Sequence, residues 1–233
     1  MLSVQENLET EQTSSLSVPT LSVIIVSYGY GHLVGQAIDS VLGQTSTPDK
    51  ILVVDDYAKD GACDVAGKYE IDFIEREKNL GVVDNFNDIL FNQVKTDRVM
   101  FLCADNWLRP DALEKMRLDT DIVSSDMYIC GSDAKEARAS KKSEYIDGYW
   151  IKRFKDQGKI NRSNFIHGSS IYNVNLAKEV GGYEARAGRE NYNRKEEDWM
   201  LWKKMIKAGA THFHVKDPLL YYRRHKFNFC GKY

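Results

Sequence analysis

The chain has 233 residues and a mass of 26.7 kDa, enough for one large domain or two small ones and for a core that needs no disulfide or zinc. Hydrophobic residues make up 42% and charged residues 28%, a globular balance that excludes a disordered chain. With 32 Lys and Arg against 34 Asp and Glu the net charge is −2, which excludes a strongly basic nucleic-acid binder, so no nucleic-acid partner is expected.

Charge is unevenly distributed. Residues 1–49 hold five acids and no Lys or Arg, net −5, whereas residues 186–233 hold twelve Lys and Arg and five acids, net +7. The basic end is either a solvated face or a surface for phosphate, an anionic substrate or lipid headgroups, so peripheral membrane contact is an expectation. Cys63, Cys103, Cys130 and Cys230 form no CxxC pair and read as reduced thiols of a cytoplasmic protein. The absence of Lys and Arg before Lys50 argues against a secretory or transit leader, and the longest apolar runs are too short to span a membrane.

Residues 1–19 are polar and end at Pro19, as in a mobile tail. Leu21–Tyr28 is a buried strand entering a turn at Gly29-Tyr30-Gly31, and Leu33, Ala37, Ile38, Val41 and Leu42 recur at helical spacing. Ile51–Val54 is a second strand ending at Asp55-Asp56. A helix over 61–69, a strand over 71–74, a turn at Asn79-Leu80-Gly81, a helix over 82–91 and a strand over 98–102 follow. Pro110 is expected at the first position of the next helix. Strand and helix thus alternate through residue 120, which predicts a mostly parallel α/β sheet covered on both faces. In such sheets ligands bind beyond the carboxyl ends of the strands, where Tyr28, Asp55-Asp56 and Asp105-Asn106 all fall.

The second part is less regular. Residues 131–163 resist assignment. A strand over 165–172, a short helix over 175–180, a mobile loop over 184–195, a helix over 196–208 and closing strands over 211–215 and 219–222 are expected.

Gly29, Gly31 and Gly35 form GxGxxxG between a strand and a helix, with Asp55 at the end of the next strand. This suggests a dinucleotide site of the NAD type, one residue off the usual spacing. Glycine in such a turn also serves simply to permit positive φ.

A second resemblance covers residues 20–226. The succession Leu21–Tyr28, Asp39–Thr45, Ile51–Asp56, Asn79–Gly81, Phe101–Asp105, Gly181–Tyr183, Glu197–Trp202 and Leu219–His225 resembles the family 2 glycosyltransferases. That resemblance implies a glycosyltransferase A fold, an α/β sandwich with a nucleotide-sugar-binding half over about 20–120 and an acceptor half over 121–226, followed by a tail over 227–233. It implies inverting transfer from a nucleotide-diphosphate donor, here a UDP-sugar, with Mn²⁺ or Mg²⁺, to a saccharide, glycan or lipid-linked acceptor. Three departures stand out: Gly29 replaces the usual Asn, Asp55-Asp56 continues as Tyr57-Ala58, and Cys103 takes the first place of the acidic metal motif.

In that frame Asp105 is the carboxylate for a hard divalent cation, since Cys103 is a poor ligand for one. His225 resembles a histidine that completes the metal site in some relatives, and Asn106 adds an amide oxygen. Asp56 suits the nucleobase, with Asp55 as its structural neighbour. The backbone at Val26 and Ser27, with Ala104, closes over the base, and Tyr28 either stacks on it or packs in the core. Arg223 and Arg224 are candidates for the diphosphate. Asp198 is the expected general base, and Glu197, Trp199, His167 and Gly168 are expected near the sugars. Arg186, Arg189, Arg194 and Lys195 belong to the loop that would close over donor. The alternatives are a catalytically silent nucleotide-sugar or glycan-binding module of the same fold, suggested by Cys103, and the NAD-type enzyme.

Overall fold

A computed structural model describes residues 18–131, 143–146, 149–154, 160–188, 190 and 196–225. Four parallel strands open the fold: β1 (Leu21–Ser27), β2 (Lys50–Asp55), β3 (Asp72–Glu75) and β4 (Arg98–Cys103). The order is β3-β2-β1-β4, and every residue of β1 is buried, as a central strand covered on both faces requires. Their connections carry α1 (Val34–Leu42), α2 (Ala62–Ala66) and α3 (Val82–Asp88), the last continued by a π-helical turn at Ile89–Gln93. In α1 the buried residues are Val34, Ala37, Ile38 and Val41, the expected helical stripe.

Beyond β4 the sheet changes character. β5 (Trp107–Leu108) and α4 (Ala112–Met116) lead into the nine-residue β6 (Ile122–Cys130), followed by β7 (Ser143–Ile146), β8 (Tyr149–Lys152), β9 (Ile171–Asn173), α5 (Val174–Glu179), α6 (Glu197–Lys207) and β10 (His212–Arg223). β9 lies antiparallel between β4 and β6, β10 runs parallel to β6, and β5 closes the edge antiparallel to β10. The parallel sheet expected from the first 120 residues is therefore the first half of a larger mixed sheet. Alternate residues of β1 feed two cores. Val23 and Ile25 pack with α1, α2 and α4, while Ile24 and Val26 pack with α3, α5 and α6.

Several expectations are corrected. Pro110 precedes α4 by two residues; its carbonyl accepts from Thr45 N (2.9 Å), and Gln44 Oε1 takes Leu113 N (2.9 Å). Residues 165–170 form no strand; instead Ile166 N donates to Asn164 Oδ1, Ile166 O accepts from Trp202 Nε1 and His167 O from Ser170 Oγ. The two closing strands are one, with register shifts on either side of Pro218, which cannot donate to the ladder. β6 was not anticipated: Ser124, Ser125 and Asp126 interrupt its apolar run, yet all three are buried. The expected tails, apart from Val18 and Pro19 at one end, and Arg189, Arg194 and Lys195 lie outside the described residues. No described helix is long and apolar enough to cross a membrane.

Candidate active site

The carboxyl ends of β1 and β2 lie side by side, with Ser27 paired to Asp55. Backbone bonds lock them: Asp56 N donates to Ser27 O and Ala104 N to Val26 O, each at 2.9 Å. The two acids then diverge. Asp56 accepts Leu80 N and Gly81 N, both at 2.9 Å, and so fixes the turn that starts α3. Asp55 uses Oδ2 for Ala58 N (3.0 Å), while its buried Oδ1 and the buried Ser27 Oγ have no hydrogen-bond partner among the described residues. Both acids thus hold backbone in place, Asp56 with both oxygens and Asp55 with one. Burial pushes both carboxyls above their ordinary range. For Asp55 the charges of Asp60, Glu75 and Asp56 add to this against the Ala58 amide; for Asp56 the Leu80 and Gly81 amides and Arg76 oppose it. Tyr28, the next residue along from Ser27, is 54% exposed, so it is no core residue and its ring is available for stacking.

The glycine turn does not make a dinucleotide cradle. Gly31 N donates to Asp60 Oδ2 (2.7 Å), and a Cβ at Gly31 would collide with the Asp60 carbonyl oxygen. The close approach that glycine permits here is filled by the protein's own chain, not left for a pyrophosphate.

At the end of β4, Asp105 is buried and its Oδ2 lies 3.3 Å from His225 Nε2, just past β10. His225 also meets the Tyr30 ring edge-on at 5.6 Å. Carboxylate and imidazole suit Mn²⁺, and carboxylate suits Mg²⁺. The described residues contain no cluster of three or more His, Cys, Asp or Glu able to hold a metal, so two protein ligands are the most this pair supplies. The donor set fits a divalent cation that draws the rest of its shell from elsewhere.

Asn106 and Arg223 are engaged with one another. Asn106 Oδ1 accepts Arg223 N (2.9 Å), and Arg223 Nε donates to Asp105 O (3.0 Å). The guanidinium also meets Gln36 Oε1 and lies 4.7 Å over the Trp107 ring. Trp107, Tyr221 and Tyr128 stack in a row at 5.0 and 4.7 Å. Arg223, expected at the diphosphate, is therefore built into the joint between β5, β10 and α1. Arg224 N donates to Cys130 O (2.7 Å), and this approach is tight: a Cβ at Gly131, where φ is +94°, would collide with the Arg224 carbonyl.

Across the sheet, Asp198 sits in the first turn of α6. Asn164 Nδ2 donates to its Oδ2 (3.3 Å) and Trp199 N to its Oδ1 (2.6 Å). Glu196, in the left-handed region at φ 56°, begins the helix and pairs with Arg186 (2.8 Å). Glu197 is half-buried on a neighbouring face. The Trp199 indole donates to Ile160 O (2.6 Å), and its ring faces Arg186 and Lys203 at 5.1 and 5.6 Å. Trp199 is thus held within the protein, as is His167. That imidazole is buried, with Nε2 3.2 Å from Ser125 Oγ, and burial pushes it down to about 3, so it is neutral. Gly168 lies beside Asp198, where an added Cβ would sit 3.7 Å from Oδ2. Asn164 was missed by sequence reasoning, since a polar residue in an irregular segment gives no signal.

The mixed α/β sheet, with acids at the ends of β2 and β4, has the glycosyltransferase A fold. The model of glycosyl transferase family 2 matches residues 22–181, more than half of the chain, and the chain belongs to that family. EpsH of Bacillus subtilis (strain 168), which carries a glycosyltransferase name, is 22% identical over 229 residues, 94% of this chain and 64% of that protein. YwdF of the same organism, an uncharacterized glycosyltransferase, is 26% identical over 171 residues, 71% of this chain and 62% of its own. Among solved structures, S. aureus TarS residues 1–349 in complex with UDP-GlcNAc aligns with a TM-score of 0.66 at 16% identity, covering 91% of this chain and 60% of that one. The mannosyltransferase PcManGT from Pyrobaculum calidifontis, in complex with GDP-Man and Mn²⁺, aligns with a TM-score of 0.58 at 16% identity, covering 87% and 56%. The chain spans less than two thirds of the length of each of these proteins.

Proposed function

We propose that the chain transfers a sugar from a nucleotide-diphosphate donor, a UDP-sugar, to a hydroxyl of a saccharide or glycan acceptor with inversion at the anomeric carbon. The observation that carries this reading is the pair of buried, unpartnered polar atoms, Ser27 Oγ and Asp55 Oδ1, at adjoining strand ends next to the exposed Tyr28. Buried polar groups without partners are costly, and a nucleoside's hydroxyls and ring N–H would satisfy them. Asp105 and His225 are the residues that would hold Mn²⁺ or Mg²⁺, which when bound supplies positive charge to the departing diphosphate.

Asp198 takes the proton of the acceptor hydroxyl. The acceptor oxygen forms a bond to the anomeric carbon on the face opposite the donor phosphate, and the electron pair of the broken C–O bond leaves with the nucleotide diphosphate. Arg224 is the remaining arginine candidate for the diphosphate. Arg223 holds the Asp105 turn in place. We further propose a cytoplasmic location.

The test is a panel of UDP- and GDP-sugars assayed for hydrolysis and transfer with Mn²⁺, alongside calorimetric titration of UDP. Asp198→Asn is expected to bind UDP like the wild type and to turn over at least about a hundredfold more slowly. Wild-type turnover that survives Asp198→Asn refutes the base assignment. Cys103, in place of an acid, favours a second reading, a silent nucleotide-sugar-binding module. Binding of UDP with no turnover of any donor would establish that second reading instead.

A further inference from the structure

Residues 160–168 cross the start of α6 as an irregular strap, and three neighbouring α6 side chains tie it down. Trp199 Nε1 donates to Ile160 O (2.6 Å), and Trp202 Nε1, fully buried, donates to Ile166 O (3.1 Å). Between these two anchors Asn164 Nδ2 donates to Asp198 Oδ2 (3.3 Å). The far end is fixed to β6 through His167 and Ser125, and Ser170 Oγ closes on His167 O (2.7 Å).

The amide of Asn164 has its direction set internally. Its Oδ1 accepts Ile166 N (3.2 Å), so the NH₂ group is the end turned to Asp198. The Asp198 carboxylate thus receives Trp199 N on Oδ1 and Asn164 on Oδ2. The strap contact restricts the rotamer of a carboxylate that stands in a first helical turn. A base must meet its hydroxyl at hydrogen-bond distance and in the right direction.

We infer that Asn164 is a positioning residue for the general base: its amide, itself anchored by Ile166 N, fixes the orientation of Asp198 Oδ2. The inference rests on the reading of Asp198 as base.

The test uses the full chain and the best-hydrolysed sugar nucleotide of the panel, with UDP plus Mn²⁺ as the binding probe. Asn164→Ala is expected to lower kcat roughly tenfold, the loss of one charge-assisted hydrogen bond. Donor KM, UDP affinity and melting temperature should stay at wild-type values. Asn164→Asp keeps an acceptor for Ile166 N while placing a carboxylate against Asp198, so it should fold and lose more activity than Asn164→Ala. The deciding readout is a double-mutant cycle: in an Asp198→Asn background, Asn164→Ala should have no further effect. An equal loss in both backgrounds, or a loss of UDP binding in Asn164→Asp, would make Asn164 a scaffold residue and overturn the inference. If Asp198→Asn is inactive while both Asn164 variants keep wild-type kcat, the inference falls and the base assignment stands. If Asp198→Asn is itself active, the base assignment falls, and the inference with it.

Discussion

The ends of β1 and β2 in the first half of the sheet and the middle of β6 in the second treat their buried polar groups in opposite ways. At the carboxyl ends of β1 and β2, Ser27 Oγ and Asp55 Oδ1 are buried without partners among the described residues. β6 buries three polar residues in succession and every one is bonded. Ser124 Oγ meets His212 Nε2 (2.8 Å) and His214 Nδ1 (2.9 Å), and Ser125 Oγ meets His167. Asp126 accepts from His214 (3.0 Å), Phe154 N (2.9 Å) and Arg153 (3.2 Å). Satisfied polar groups hold a scaffold together; unsatisfied ones at a strand end are a demand that a ligand can meet.

The contrast can be broken by mutation. The largest effect is expected for Asp126→Ala, which leaves the Phe154 amide, Arg153 and His214 without their acceptor. Removing one member of a buried charged network typically costs about 3–5 kcal/mol, to be read as a lower denaturation midpoint. A loss under about 1 kcal/mol would show that the β6 network is not structural. Next is Asp55→Asn, which can still accept from Ala58 N but loses its charge. UDP affinity should fall roughly ten- to a hundredfold by calorimetry, the worth of about 1.5–3 kcal/mol for a charged hydrogen bond, with stability nearly unchanged. Ser27→Ala removes a hydroxyl that bonds nothing in the described protein. It should leave the melting temperature in place and weaken UDP by about tenfold or less. If Ser27→Ala destabilises the fold and spares UDP binding, the two regions do not differ as described.

Near neutral pH the smallest and most graded effect comes from pH itself, and it grows only on acidification. Burial holds His167 near 3 and His212 near 4, against 6.5 for a free imidazole; in His212 the charge of His214 adds to burial. The unfolded chain therefore binds more protons than the folded one below 6.5. The stability these neutral imidazoles contribute is complete above that value and declines as pH falls toward 4 and then 3. His167→Gln should flatten part of that decline in a series of melts.

The first half of the sheet was legible because the apolar runs within β1, β2 and β4 and the stripe of α1 need no knowledge of distant residues. β6 was not, since Ser124, Ser125 and Asp126 break its apolar run and find their partners, His212, His214 and Arg153, only in other segments. The site divides in the same way. Family motifs pointed to Asp105, His225 and Asp198 as candidates, and a place at a strand end pointed to Tyr28. The backbone bonds of Asp56 depend on the Leu80–Gly81 turn, and the engagement of Arg223 depends on Gln36 and Trp107. Neither is encoded near the residue concerned.

The pairing of β10 with β6 bears on how the molecule assembles itself. Ser124 and His214, neighbours across that pair, are 90 positions apart in the chain, and Asp105 and His225 are 120 apart. Joining such distant segments requires closing long loops before any contact rewards the closure, so this pairing is expected to be slow relative to the local β1-β2 unit. Refolding followed by an indole signal should then report mainly the slow phase, since Trp107, Trp150, Trp199 and Trp202 all follow β4 in the chain. The Asp105–His225 pair would come together only as that phase completes, and affinity for Mn²⁺ would appear with the slow phase rather than the fast one.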